Sequence, residues 1–359
     1  MKRLYQHSPA TNPLNSLMRG LLFALTLSTQ LLIAPQVFAA DEPPKNHRTS
    51  SQTDRDNTLI ITSLPITYYL ASALTANTPI EVKNLPKKGR RLNGQASFFT
   101  SRAEKLAETF KSASAVITIG KLWREDPLFT AARSANIRIV EIDATKPWSN
   151  SLEGISVAMT PAQDSPWTTD GRQSGHGAKP METKPSVFYW LSLANSARSA
   201  DIIAQDLMRL VPSEADTIKT NLASVRSKLM ALQRSSELAL LNAPDITVFS
   251  LAPELIYLTS EQNLFVDGSF YKQDIEWTSN DIAAFEKHLK DHQIGVVLHK
   301  WQPAEPILKA INAANAKLLV IETLDAGIAK QGRMLPDSYF SLMEENLKRL
   351  RLALIEKPH

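Results

Sequence analysis

Seven histidines, 36 carboxylates and no cysteine make up the ligand and nucleophile inventory of this 359-residue chain. Without Cys, disulfides, thiolate metal sites and cysteine nucleophiles are excluded together. His288 and His292 stand at i and i+4 in SNDIAAFEKHLKDH, the spacing at which two rings on one helical face chelate a cation. The preferred reading is an outer helix that turns both rings to solvent. His299 ends IGVVLH, with Lys300 and Trp301 beside it. At the exit of a strand it is either a ligand donor or a single imidazole satisfied by backbone, the commoner arrangement. Ser250 and Glu322 follow ITVF and LLVI in the same way, and Asn93 and Gln95 fall in the loop after another strand. Ser250 and His299 could meet across one lobe, as any two strand-exit residues can. No Gly-x-Ser-x-Gly elbow, phosphate loop, Gly-x-Gly-x-x-Gly or His-Glu-x-x-His accompanies them. Catalysis finds no support, and a binding protein rather than an enzyme is expected.

The elements that must position these side chains are α/β. TLIITS (58–63), PIEVKN (79–84), AVITIG (115–120) and IRIVEI (137–142) are short β-branched runs that read as buried parallel strands. ITYYLASALT, SRAEKLAETFKSA and DPLFTAARSA have helical spacing between them. The rhythm restarts with ITVFSL, LFVD, IGVVLH and LLVIET, separated by helices near 253–261, 279–291 and 303–315. At 43% hydrophobic content the chain suffices for two lobes of (βα)4 type with parallel sheets. Their expected bounds are 58–212 and 242–359. Between them, 213–241 reads as one long linking helix with Ser213 as N-cap and an apolar stripe of Ile218, Leu222, Val225, Leu229 and Leu232. Ligands of such sheets sit beyond the carboxyl ends of the strands, so two facing lobes imply one cleft.

Residues 1–39 read as a secretory leader: Lys2, Arg3 and Arg19 precede GLLFALTLSTQLLIA, and Val37-Phe38-Ala39 offers a cleavage site after Ala39. Residues 40–57 are polar and read as a disordered tether. The formal net charge is +4, and the leader holds three of the cations and no acid, which leaves +1. No basic stripe remains, so nucleic acid is not an implied partner. Residues 160–185 read as a flexible loop with a single imidazole, His176. Directly behind it, FYWL (188–191) either plugs a core or lines a binding surface.

SRAEKLAETFKSASAVITIG, WLSLANSARSADIIAQDLMRLVPSEADTIKTNL, GVVLHKWQPAEPILKAINAANAKLLVIETLDAG and SYFSLMEENLKRLRLAL together resemble the periplasmic zinc/manganese solute-binding proteins of ABC importers, over about residues 58–355. The resemblance implies periplasmic localisation, a monomer, an inner-membrane ABC permease as partner and a divalent metal, zinc or manganese, held by four side chains, three His and one Asp or His, His, Glu and Asp. Carried over residue by residue, the ligand set is largely missing. The loop LPKKGRRLNGQASFF has no His, and Asn93, Gln95 or Ser97 stand nearest the first ligand. The second ligand position falls on Phe188 and the third on Ser250 or Leu251. The fourth is matched by Glu322 or Asp325. The position of His299 resembles a Glu before the family's Gln-Pro turn. For metal, Glu322 or Asp325 with His299 are the best candidates.

Zinc wants three or four His, Cys or carboxylate ligands, and harder cations want several carboxylates. One carboxylate with an amide or two is a poor trap for a scarce metal. Lys87, Lys88, Arg90 and Arg91 read as a solvated turn; at a cleft mouth, each at ~10 Å would oppose a dication by about 0.8 kcal/mol in water before screening. The expected function is a solute-binding protein with a lost or altered metal site that takes a small polar solute or a metal chelate. The alternative is a non-transporting envelope accessory protein that uses the fold for protein contact.

Overall fold

The computed structural model describes residues 58–161, 168–169 and 183–355. The expected leader, the tether and most of the 160–185 loop, His176 included, lie outside the described residues.

The N-terminal lobe runs β1 (Leu59–Thr62), α1 (Pro65–Leu74), β2 (Glu81–Asn84), α2 (Gln95–Ser101), α3 (Ala103–Ser112), β3 (Ala115–Thr118), α4 (Leu128–Ala135) and β4 (Val140–Asp143). Its sheet is parallel, in the order β2-β1-β3-β4. The short strands β5 (Met159–Pro161) and β7 (Thr183–Pro185) pair antiparallel at the base of the 160–185 segment, and β6 (Thr168–Thr169) lies within it. Then come α5 (Leu193–Leu210) and α6 (Ala215–Leu240). The C-terminal lobe holds β8 (Thr247–Ser250), α7 (Ile256–Glu261), β9 (Phe265–Ser269), α8 (Ser279–Asp291), β10 (Val296–His299), α9 (Glu305–Ala313) and β11 (Lys317–Val320). The hairpin β12 (Ala329–Lys330) and β13 (Arg333–Met334) and the helix α10 (Ser338–Ile355) follow. Its parallel sheet has the order β11-β10-β8-β9, and β6 pairs antiparallel on the β9 edge. The two lobes repeat one strand order.

The unbroken apolar runs follow from burial on both faces of each sheet. On β1, Leu59 and Ile61 pack with α3 and α4 residues while Ile60 faces the core shared with α1 and α5. On β10, Val297 joins Phe285 and Ile307 while Val296 and Leu298 face the shared core. On α6, Ile218, Val225 and Leu229 are buried and Leu222 and Leu232 pack against the same core. At 1.5 Å per residue its 26 residues reach roughly 39 Å. The helix starts later than its N-cap signal indicates. Pro212–Glu214 forms a 3-10 turn that absorbs Ser213, and Glu214 takes the N-cap with no side-chain bond. The loop after β2 also carries more structure than its polar composition suggests, because Gln95 opens α2.

The lobes are fastened directly as well as through α6. Glu261, at the end of α7, accepts from Leu193 N and Ala194 N at 2.7 Å and from Ser192 Oγ at 3.0 Å. That places a carboxylate on the N-terminal donors of α5, where helix dipole and free N–H groups favour it. Gly89 shows how closely the loops meet: at φ +76°, a Cβ there would lie 2.2 Å from the Ala326 carbonyl oxygen. Among the described residues no helix is long and apolar enough to cross a membrane.

Candidate functional site

The carboxyl ends of the sheets border a cavity of about 580 Å³ walled by both lobes. Leu122, Trp123, Arg124 and Glu125 come from the loop after β3, Lys184 to Phe188 from β7 and the turn behind it, and Pro253 and Glu254 from the turn after β8. Two carboxylates, Asp143 buried and Asp126 partly so, hold the N-terminal wall in place. Asp143 Oδ2 accepts from Lys121 N at 2.7 Å, and its Oδ1 accepts from Thr145 N and Thr145 Oγ1. Asp126 bridges the base of the loop, accepting from Ile119 N at 2.9 Å and Leu128 N at 3.0 Å. Burial nevertheless dominates those two bonds and pushes the Asp126 carboxyl up to about 6.

FYWL divides between core and wall. Tyr189 and Trp190 are fully buried. The Trp190 indole donates to the Thr323 carbonyl at 2.8 Å, its own carbonyl accepts from Tyr339 Oη at 2.9 Å, and Tyr189 Oη bonds Ser199 Oγ at 2.9 Å. Phe188 is half-buried, 5.2 Å from the Trp190 ring, and faces the cavity. One aromatic of the three is therefore available to a ligand.

Beyond β8 and β10 lies a polar layer. Ser250 is buried, and its Oγ donates to the Ala252 carbonyl at 3.2 Å. Tyr271 hydrogen-bonds with Ser250 and Ser269. His299 is buried, with Nε2 3.6 Å from Asp274 Oδ1 and no partner for Nδ1 among the described residues. Burial holds its imidazole below the ordinary range and Asp274 opposes this, so the neutral ring is favoured near pH 7. Lys300 pairs with Glu254 at the cavity wall and lies 4.6 Å from the Trp301 ring centroid.

The remaining sequence candidates are scattered. Gln95 is buried and donates through Nε2 to the carbonyls of Ser63 and Arg90, both at 2.9 Å, tying the second loop to the exit of β1. Asn93 is exposed one turn away. Glu322 is exposed; its carboxylate accepts from Leu324 N at 3.1 Å, and its backbone exchanges bonds with the Asn346 side chain. Asp325 meets Thr323 Oγ1 at 3.4 Å. Neither carboxylate joins His299. Lys87, Lys88, Arg90 and Arg91 are exposed, and none of them lines the cavity.

Among the described residues, the donors that do converge are Asp267, His288 and His292, on the flank of the C-terminal lobe. The expectation that both imidazoles face solvent is corrected here. The His288 side chain is only 10% exposed and bonds Asp267 at 2.8 Å through Nε2. Their helix also begins with a missed signal: Thr278 and Asp281 form a reciprocal capping box.

The sequence pattern of the family described as ZnuA, zinc-uptake complex component A, periplasmic, matches residues 60–353. The chain belongs to that family. It is 25% identical over 166 residues to the zinc-binding protein AdcA of Streptococcus pyogenes serotype M18, an alignment that takes in 46% of this chain and 32% of that protein. The chain thus spans about a third of the length of the curated relatives it matches. In fold, this ZnuA-family chain is similar to FpvC of Pseudomonas aeruginosa in complex with Mn²⁺, with a TM-score of 0.59 and 18% identity, covering 83% of this chain and 98% of that one. It is also similar to the Zn(II)-bound ZnuA-like domain of Streptococcus pneumoniae AdcA, with a TM-score of 0.58 and 15% identity, covering 84% and 100%. Both likenesses establish the two-lobed architecture.

Proposed function

We propose that this ZnuA-family protein is the periplasmic solute-binding component of an ABC importer, and that it takes its solute in the interlobe cavity without a bare-metal ligand set there. One observation carries the reading. The cavity walls present Phe188, Trp123, Arg124, Lys184, Glu125 and Glu254, the last paired with Lys300, and among the described residues no three His or carboxylate donors converge on it. A bare zinc or manganese ion needs such a convergence. Rings with charges of both signs suit a small polar molecule or a metal chelate, which brings its own ligands and offers its periphery for recognition. The leader, the periplasmic address and an inner-membrane permease belong to the same reading. So does the absence of catalysis, since family membership points to substrate binding.

A thermal-shift screen of chelator-stripped protein tests it. A true solute at 100-fold over its dissociation constant adds about 2.7 kcal/mol. We expect a metal chelate or polar solute to give such a shift in the wild type and a much smaller one in Phe188→Ala and Glu254→Gln. Bare zinc or manganese bound between the lobes with nanomolar affinity, and lost on His299→Ala, would overturn the reading.

A further inference from the structure

We propose that the outer flank of the C-terminal lobe carries a second, independent site for a zinc-class divalent cation, built from Asp267, His288 and His292. Each residue offers one ligand atom, and the three atoms lie within 4.8 Å of one another. Two imidazoles and a carboxylate form a donor set suited to zinc and its borderline-soft neighbours, and a poor one for magnesium or calcium.

Three separate features of the chain create the convergence. The first is helical spacing. His288 and His292 lie four apart at the end of α8, so their rings share one face and stack with centroids 4.1 Å apart. The second is a β-bulge. Val248 pairs with Val266, but the next residue, Phe249, pairs with Gly268, so Asp267 is the extra residue of β9. A bulge re-aims the side chain it carries, and here Asp267 reaches the end of α8. The third is Gly268. A Cβ at that position would lie 2.6 Å from the Phe249 ring and 3.1 Å from His288 Nε2. Glycine lets the imidazole settle on the strand, while Phe249 holds it edge-on at 5.5 Å.

In the ion-free arrangement, Asp267 Oδ2 meets His288 Nε2 at 2.8 Å and His292 Nδ1 at 2.9 Å. A tetrahedral zinc about 2.1 Å from each ligand separates them by roughly 3.4 Å. Binding therefore needs the carboxylate to withdraw by about half an ångström from each imidazole and the two ring nitrogens, which lie within 4.8 Å of each other, to settle at the same spacing. The His292 side chain is 43% exposed, so the fourth coordination position opens to solvent. The site is thus a three-ligand, exchangeable one. It shares no residue with the cavity wall.

The test uses the full-length, chelator-stripped protein titrated with Zn²⁺ by calorimetry and with Co²⁺ by visible absorption. We expect one equivalent of zinc whose affinity falls at least ten-fold in His292→Ala and in Asp267→Asn, with loss of the Co²⁺ ligand-field bands. Millimolar Mg²⁺ or Ca²⁺ should not displace it, and Glu254→Gln should leave it unchanged. His292 is exposed, so its replacement should leave the ion-free melting temperature in place; Asp267→Asn provides a second, near-isosteric check. No zinc uptake up to about 100 µM, or an affinity indifferent to both substitutions, overturns the site. Loss of zinc on Glu254→Gln would move it to the cavity, and the cavity reading has its own outcome with Phe188→Ala.

Discussion

β2 and β9 hold corresponding places, each beside the first strand of its lobe, but β2 is an edge strand while β9 carries β6 on its outer side. β2 stays in register with β1 from Leu59↔Glu81 to Thr62↔Asn84, and its exit loop is fastened by Gln95. β9 slips by one residue, is covered on its outer edge by β6, and turns Asp267 toward two imidazoles. One fold unit is used twice with different outcomes. Both copies contribute wall and fastening, and among the described residues the C-terminal copy also gathers metal-type donors away from the cleft. The two copies share one strand order, and a single extra residue in β9 suffices to bring Asp267 to two imidazoles.

The largest expected effect is at the joint both lobes share. Trp190→Ala removes a fully buried indole and leaves the Thr323 carbonyl without its donor, and should cost ~3–5 kcal/mol by urea denaturation. A loss below 1 kcal/mol would mean that the two copies do not depend on this joint. In the N-terminal lobe, Asp126 has a folded-state value of about 6 against an ordinary 3.8. Folding therefore binds the proton more tightly. The contribution is full below about pH 4 and is lost as pH rises through about 6, a loss of up to about 3 kcal/mol, reduced by partial solvent contact. Asp126→Asn should gain on the wild type between pH 4 and pH 7 in denaturation midpoints. A difference that stays flat with pH would remove Asp126 from the account of the cavity wall.

In the C-terminal lobe, Gly268→Ala drives a methyl into the Phe249 ring and crowds His288. We expect ~1–3 kcal/mol of destabilisation together with weakened zinc binding. Stability lost with zinc affinity retained would separate the bulge from the metal site. The smallest effect belongs to Thr278→Ala, which removes the capping box at the far end of α8 for ~1 kcal/mol and should leave zinc affinity intact.

The strands were legible because residues buried on both faces leave no alternation to misread, as in LIIT and VVLH. The stripe on α6 was legible for the related reason that one face of a long helix must be apolar. Register was not. Nothing in LFVDGS announces that Asp267 is an extra residue, since a bulge is decided by pairing with β8. The inward turn of His288 likewise depends on Gly268 lacking a side chain, a tertiary fact carried by one glycine. Thr278 and Asp281, three residues apart before an amphipathic run, are by contrast a capping signal that local sequence does carry. For FYWL, local sequence left core and wall open. Packing against Thr323 and Tyr339, more than 130 residues away, sends Trp190 inward and leaves Phe188 at the cavity.

Anomalous scattering at the zinc edge from crystals grown with zinc tests the central claim most directly. The account predicts a peak ~2 Å from Asp267, His288 and His292, with none in the cavity bounded by Phe188, Trp123 and Glu254. A fully coordinated ion between the lobes, with the flank empty, would contradict it.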